Sequence, residues 1–353
     1  MYLPDKCGLN ISIFSTILDG KNLTNSYKIY WFYGILEEIK LGNKKITFEK
    51  IINHMVSKSW YTLLEYKLNF GKMDKLENAV KLLQDKYIIK TSISEKELMK
   101  QLQHIENKNL NDFKKYVPYR LLSPFFKGEL KGLKESDRNK TIEILSQDSN
   151  IAIYKIEGEI ITINDNWFEY LNCNINVVEG WLMHKLIVFL QTRNPNVPNI
   201  PFKLIAPQKR NLIKIQKVWK ELISEREIID IYSQKKITTD ISIDHFIPWS
   251  FVLHDQFWNL IPTTRSINSS KSNNLPCLDE YLDIFCEQQF ELYSFLQDKK
   301  KSKLLEEYLV LNLENNITKE SFSKKLKDNI IPLFQIAKNQ GFQSNWRYQS
   351  NVL

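Results

Sequence analysis

At 353 residues the chain has room for two domains, or for one core with attached lobes, and its 43% hydrophobic and 25% charged residues are those of an ordinary globular protein. No apolar run reaches the length of a membrane span, and Met1–Lys6 lacks the apolar core of a secretion signal, so the expectation is a cytoplasmic protein. A net charge of +8 and a pI near 9.0 favour a polyanionic partner through counterion release, although the Lys, Ile and Asn bias of an AT-rich genome gives proteins of any function a similar balance.

Residues 1–150 read as a helical amino-terminal lobe. Tyr27, Tyr30, Trp31, Gly34, Ile35 and Ile39 fall on one helix face. That stripe suits a core better than a base-stacking surface, because stacking platforms need exposed rings among basic residues. Asp74 is placed to cap a helix whose Leu76, Ala79, Val80, Leu83 and Tyr87 share a side, and Ser94 with Glu97 forms a capping box before Leu98, Leu102 and Ile105. Ile46–Val56 has a faint helix-turn-helix character. Residues 151–210 read as a β-hairpin (Ile151–Ile156 and Ile160–Ile163 about Glu157-Gly158), a helix through Trp181–Leu190 and a stiff Pro-rich connector, Asn194–Pro201. Arg210–Leu222 reads as a helix in which Lys209, Arg210, Lys214, Lys217 and Lys220 either form a solvated face or bind phosphate. Residues 276–353 read as a helical carboxyl-terminal region, with Leu278–Asp298, Lys303–Leu313, a further helix starting near Thr318 and Ser321, and Gly341 as the C-cap after Leu333–Asn339.

Residues 211–275 hold the polar groups that carry chemistry. Asp244-His245, Asn259, Asn268 and Lys271 follow the spacing His-x13-Asn-x8-Asn-x2-Lys. A carboxylate beside an imidazole, two amides and a lysine are parts that metal-dependent phosphodiester hydrolysis uses: a divalent cation offsets charge growing on the phosphate while the imidazole takes a proton from the attacking water. Ile241–Ile247 alternates like a short strand, Leu260–Ser266 like its antiparallel return, and Asn268 onward can begin a helix with Asn268 and Lys271 on its first turn, near a natural seat for an anion. His254, in the intervening loop, is placed either to assist or to cap the loop, and Arg265 could reach a phosphate. His54, His104 and His184 lack suitable polar companions in sequence and read as structural. Cys7, Cys173, Cys277 and Cys286 form no Cys-x-x-Cys pair, so this region has to be braced by packing and not by a zinc knuckle.

The segment resembles the HNH endonuclease motif, the ββα-metal finger, down to the Asp before the His and the Ile247-Pro248 after it. The resemblance implies a mainly α protein with a small β component, in which a ββα nuclease unit is embedded in a helical carboxyl-terminal lobe. It implies that Asp244 and Asn268 hold one divalent cation, Mg²⁺ or Mn²⁺, that His245 is the general base, and that Asn259 fixes the loop that orients it. Lys271 stands where many members carry a third histidine ligand. It is expected either at a phosphate, as part of the catalytic apparatus, or as an exposed helix lysine. Arg265, Lys209, Arg210 and Lys214 are the candidates for contact with nucleic acid. DNA is the expected substrate, with RNA left open, and stand-alone chains of this kind resemble restriction or antiphage-defence nucleases. The amino-terminal lobe is expected to position substrate or to sense a partner such as an ATPase or sensor protein. The alternative is an idle HNH module that serves as a nucleic-acid-binding subunit.

Overall fold

The chain divides into two units, Met1–Pro195 with Ile200–Ala206 and Asn196–Asn199 with Pro207–Leu353. The computed structural model describes residues 3–20, 23–105, 110–148, 151–238, 240–314 and 317–349; Met1 and Tyr2 of the amino-terminal stretch read above lie outside them. The described residues are mainly helical with two small antiparallel sheets, and no helix among them is long and apolar enough to cross a membrane.

The first unit is built around α1 (Tyr27–Lys40). The sequence shows one apolar stripe, yet Phe32 and Leu36 lie off that stripe and are as fully buried as Tyr30, Trp31 and Ile35. A helix that is apolar nearly all round has to be covered nearly all round. α2 (Phe48–Leu64) covers one side, with Thr47 capping its first turn by accepting from the Lys50 amide. The sequence expectation of a helix-turn-helix at Ile46–Val56 is therefore corrected: Ile46 lies in strand β1 (Lys45–Thr47), and the helix that follows is buried along most of its length. The hairpin strands β2 (Tyr154–Glu157) and β3 (Ile160–Ile163) join β1 in a sheet of order β1-β3-β2, which places the hairpin inside this unit. His54 is structural in an unforeseen way, since its Nε2 donates to buried Glu38 at 2.9 Å. Asp74 caps α3 (Lys75–Tyr87) and Ser94 caps α4 (Glu95–Leu102), each accepting from a first-turn amide. Further along are α5 (Asn111–Leu122), α6 (Glu135–Leu145) and α7 (Ile175–Arg193).

In the second unit α8 spans Ile213–Glu225 and not Arg210–Leu222. The Asn211 side chain accepts from the Ile213 amide, a local turn that delays the helix and leaves Lys209 and Arg210 in the preceding loop. Strands β4 (Ile241–His245) and β5 (Leu260–Thr264) pair antiparallel, with Ile241 opposite Thr264 and His245 opposite Leu260. The following helix, α9, is Arg265–Lys271, because the Thr264 hydroxyl caps the Ile267 amide. Asn268 thus lies in mid-helix and Lys271 is its last residue, not members of a first turn. α10 (Leu278–Asp298) and α11 (Lys319–Asn339) complete the unit. The expected helix at Lys303–Leu313 is shorter, Ser302–Leu305 followed by a 3₁₀ segment to Leu311 and a left-handed Asn312.

The packing of α1 against α2 depends on Gly34. A Cβ there would come within 2.9 Å of both the Ile51 Cγ2 and the Ile51 carbonyl oxygen. The backbone oxygen cannot move aside by a rotamer change, so Gly34→Ala is expected to lower stability by about 1–3 kcal/mol, the usual range for overpacking. The measurement is the denaturant midpoint; an unmoved midpoint would show that the two helices separate without cost.

Candidate active site

Strand β4 delivers Asp244 and His245 to one end of the ββα unit, and the segment between β4 and β5 is clamped there by Asn259. The Asn259 Oδ1 accepts from the Ile247 amide at 2.8 Å, its Nδ2 donates to the Ile247 carbonyl at 2.9 Å, and its own carbonyl accepts from the Phe246 amide. Both ends of one buried side chain thus hold the backbone immediately after His245.

His245 sits between two charged groups of opposite sign. Its Nε2 is 2.8 Å from Asp255 Oδ1 and its Nδ1 is 3.2 Å from Arg210 Nη1. A carboxylate only accepts and a guanidinium only donates, so the neutral ring carries its proton on Nε2 and directs the Nδ1 lone pair at Arg210. The Arg210 guanidinium also lies over the Trp249 ring, 4.8 Å from its centre, and 4.0 Å from Asp255. Burial pushes the His245 pKa below its ordinary value; Asp255 works against that shift and the Arg210 charge adds to it. The imidazole is accordingly held in its proton-accepting form at neutral pH. Asp255 escaped sequence reading because it lies in an irregular loop with neither periodicity nor a motif partner at fixed spacing. The one signal the sequence offers is a carboxylate in the short loop that returns from His245 to β5.

Asp244 is 2% exposed, and its neighbours satisfy it. The Tyr232 hydroxyl donates to Oδ2 at 2.6 Å, and Lys271 Nζ lies 3.2 Å from Oδ1 and 3.1 Å from Oδ2. Lys271 also donates to the His245 carbonyl at 2.6 Å. Both sequence expectations for Lys271 are corrected here: its side chain is fully buried, neither exposed on a helix nor free to meet a phosphate. Burial pulls its pKa below the ordinary lysine value, and the Asp244 carboxylate opposes part of that shift. Tyr232 is fixed in turn by edge-to-face contacts with Tyr281 and Trp346. Buried Asp230 accepts from the Tyr232 amide and from the Thr263 hydroxyl.

Asn268 uses its amide nitrogen on strand β4, donating to Ser242 Oγ at 2.8 Å and to the Ile243 carbonyl at 3.0 Å. Among the described residues no group of three His, Cys, Asp or Glu side chains is placed to hold a metal ion. By donor type alone an Asp244 carboxylate and an Asn268 amide oxygen would suit a hard divalent cation such as Mg²⁺, but both Asp244 oxygens are taken up by Tyr232 and Lys271. Lys271 competes with such an ion for the Asp244 carboxylate.

The other candidates are more peripheral. Arg265 is exposed and lies 3.6 Å from Asp240. Lys209 and Lys214 are exposed in and just after the loop that carries Arg210. His254 accepts from the Gln256 amide at 3.4 Å and packs against Trp258, which gives it a loop-holding contact.

Residues 230–277 match a family model described as HNH endonuclease, which supports nuclease chemistry of that type for this segment; HNH nucleases generally use divalent metal ions. Comparison with curated proteins and with solved structures finds no match.

The buried pair of Lys271 and Asp244 generates a stability prediction. Lys271→Ala removes the cation and leaves a carboxylate enclosed, at an expected loss of about 3–5 kcal/mol. Lys271→Met with Asp244→Leu, which removes both charges, is expected to recover most of it in a denaturation experiment. If Lys271→Ala alone is silent, the carboxylate is not shut off from water in solution.

Proposed function

We propose that the second unit is a metal-dependent endonuclease that hydrolyses DNA phosphodiester bonds, with His245 as its general base. The observation that supports this reading best is the setting of His245, an imidazole at a strand end with Asp255 at its Nε2 and only the Arg210 guanidinium against its Nδ1, a pairing that favours the tautomer with the proton on Nε2. A base needs that arrangement, since a free ring divides its proton between the two nitrogens.

In this reading Nδ1 takes the proton from the water that attacks phosphorus, and Asp255 stabilises the imidazolium that results. Asn259 keeps the ring's backbone in place. Lys271 holds the Asp244 carboxylate and the His245 carbonyl together without touching substrate. Arg210, now donating to Nδ1, exchanges that bond for a phosphate oxygen of the substrate and so uncovers the base; Lys209 and Lys214 add positive charge beside it. Asp244 and Asn268 would hold the divalent cation, Mg²⁺ or Mn²⁺, whose contribution when bound is to neutralise charge on the phosphate. Because Arg210 covers the base and Asp244 is enclosed, the same geometry favours a nuclease that stays silent until substrate or a partner protein rearranges the site. A role in restriction or antiphage defence fits such a latent nuclease.

His245→Ala is expected to reduce cleavage of plasmid DNA by at least roughly a hundredfold, within the usual 10²–10⁴ contribution of a general base, while DNA binding persists. Added Mg²⁺ or Mn²⁺ should be required and EDTA should stop the reaction. Retained cleavage in His245→Ala would remove the assignment.

The pH profile tests the flanking charges separately. The base is lost on protonation, so activity falls as pH drops through the His245 pKa, and burial sets that limb below 6.5, the ordinary histidine value. Arg210→Gln removes a cation that disfavours imidazolium, so the limb should move to higher pH. Asp255→Asn removes an anion that favours it, so the limb should move lower. Shifts of the same sign in both variants would show that these groups do not act on His245 through their charge.

A further inference from the structure

The first unit has a cavity of about 780 Å³ that the nuclease reading does not use. Its walls come from the segment at Thr24 and Asn25, the starts of α1 and α3, and the facing sides of α5 and α6. That volume is ordinary for a small-molecule site.

Charge is its first feature. Five basic side chains line it against two acidic ones. Each carboxylate is shared: Asp112 lies 3.2 Å from both Lys75 and Lys115, and Glu135 pairs with Arg120 and, at 3.6 Å, with Arg138. Lys28 adds a fifth cation beside Arg120. Burial, reinforced by the Arg120 charge, pulls the Lys28 pKa down to about 8. The wall thus carries a surplus of positive charge held at a cost, which an anion placed among these groups would relieve.

The second feature is aromatic. Tyr116 is 49% exposed and Met73 is 82% exposed, both at this cavity. The Arg120 guanidinium stacks on the Tyr116 ring, 5.1 Å from its centre. Deeper in, Tyr27 meets Phe113 edge to face with centroids 4.8 Å apart. An exposed ring among basic residues is the combination that a stacking platform needs, and beyond Tyr27 the α1 stripe, buried at Tyr30, Trp31, Ile35 and Ile39, lacks it.

We propose that this cavity binds a phosphorylated nucleoside, either free or as one unit of a single strand, with its phosphate among Lys28, Arg120 and Arg138 and its base against Tyr116. Phosphate alone would leave the exposed ring and Met73 unexplained, and a purely apolar ligand would leave the excess of basic over acidic side chains unmatched.

The test uses the full-length chain carrying His245→Ala, in EDTA, so that binding is read without cutting and without dependence on the nuclease assignment. Calorimetric titration with dAMP, with inorganic phosphate and with a short oligodeoxyadenylate gives three arms. Binding of dAMP that is tighter than that of phosphate is expected. Tyr116→Ala should weaken it about tenfold while leaving phosphate binding unchanged, the size of one lost base stack. Lys28→Glu with Arg120→Glu should weaken it more than about tenfold and flatten its salt dependence. Arg138→Glu, at an exposed position that folding tolerates, should weaken it several-fold and keeps the test valid if the double variant misfolds. Tyr116-dependent binding of the oligonucleotide without dAMP binding assigns the site to a strand, and dAMP binding without a gain from added nucleotides assigns it to a free nucleotide. The proposal is overturned if neither dAMP nor the oligonucleotide binds, if the Tyr116 and Arg138 variants bind both as the parent does, or if phosphate alone binds as well as dAMP.

Discussion

The geometry of the second unit depends on one buried ion pair, Lys271 with Asp244. A lysine with no exposed surface pays a desolvation penalty of several kcal/mol, and only close partners offset it. Here the partners are both Asp244 oxygens and the His245 carbonyl, two consecutive residues at the end of β4. The pair therefore links the last residue of α9 to the end of β4 and sets where His245 begins its turn. Tyr232 completes the carboxylate's shell, and Trp346 and Tyr281 hold Tyr232. A stretch near the carboxyl terminus is thus connected through rings and one hydroxyl to the carboxylate beside the proposed base.

A ββα unit of this size cannot bury enough surface to stand alone, and among the described residues no cluster of His, Cys, Asp and Glu side chains is placed to brace it with a metal. Helix α10 supplies the missing core. The Phe285 ring stacks on Phe246 with centroids 4.0 Å apart, and Gln289, itself held by Tyr308, donates to the Leu260 carbonyl. Gln216 of α8 donates to the Ile241 carbonyl at the far end of β4. The strands, with few neighbours of their own, pass part of their hydrogen bonding to side chains of flanking helices. Cys277 and Cys286 are buried and free; Cys286 acts as a small apolar filler, while the Cys277 sulfur accepts from the Arg347 guanidinium at 3.2 Å.

What was legible in the sequence follows from which interactions are local. The mainly helical fold, the caps at Asp74 and Ser94 and the ββα order of the motif depend on neighbours within a few residues, and all of these are seen. The burial of α1 beyond its stripe was not legible, because it depends on a sheet and helices far away in the chain. Lys271 was misread for a related reason. Ser269, Ser270 and Ser272 around it suggest a solvated helix end, and only the position of Asp244 across the strand shows that the lysine points inward. Arg210 was assigned to a helix by its place in a basic, periodic run. Asn211 breaks that run through a side-chain turn, and the resulting loop is what lets the guanidinium reach His245.

Burial of the proposed base brings a conflict that the surrounding charges resolve in part. An enclosed imidazole loses affinity for protons, which keeps the base free at neutral pH but weakens it as a proton acceptor. Asp255 restores some of that affinity and fixes the tautomer. Arg210 does the reverse while it remains on Nδ1. A guanidinium held over Trp249, itself partly desolvated and so depressed in pKa by burial, gains from meeting a phosphate in place of a neutral nitrogen. Its departure would at once uncover the lone pair and take away a charge that opposes protonation. On the proposed mechanism, substrate binding and strengthening of the base would be one event, with the difference between a phosphate and an imidazole as acceptors for Arg210 setting how far the resting site stays closed.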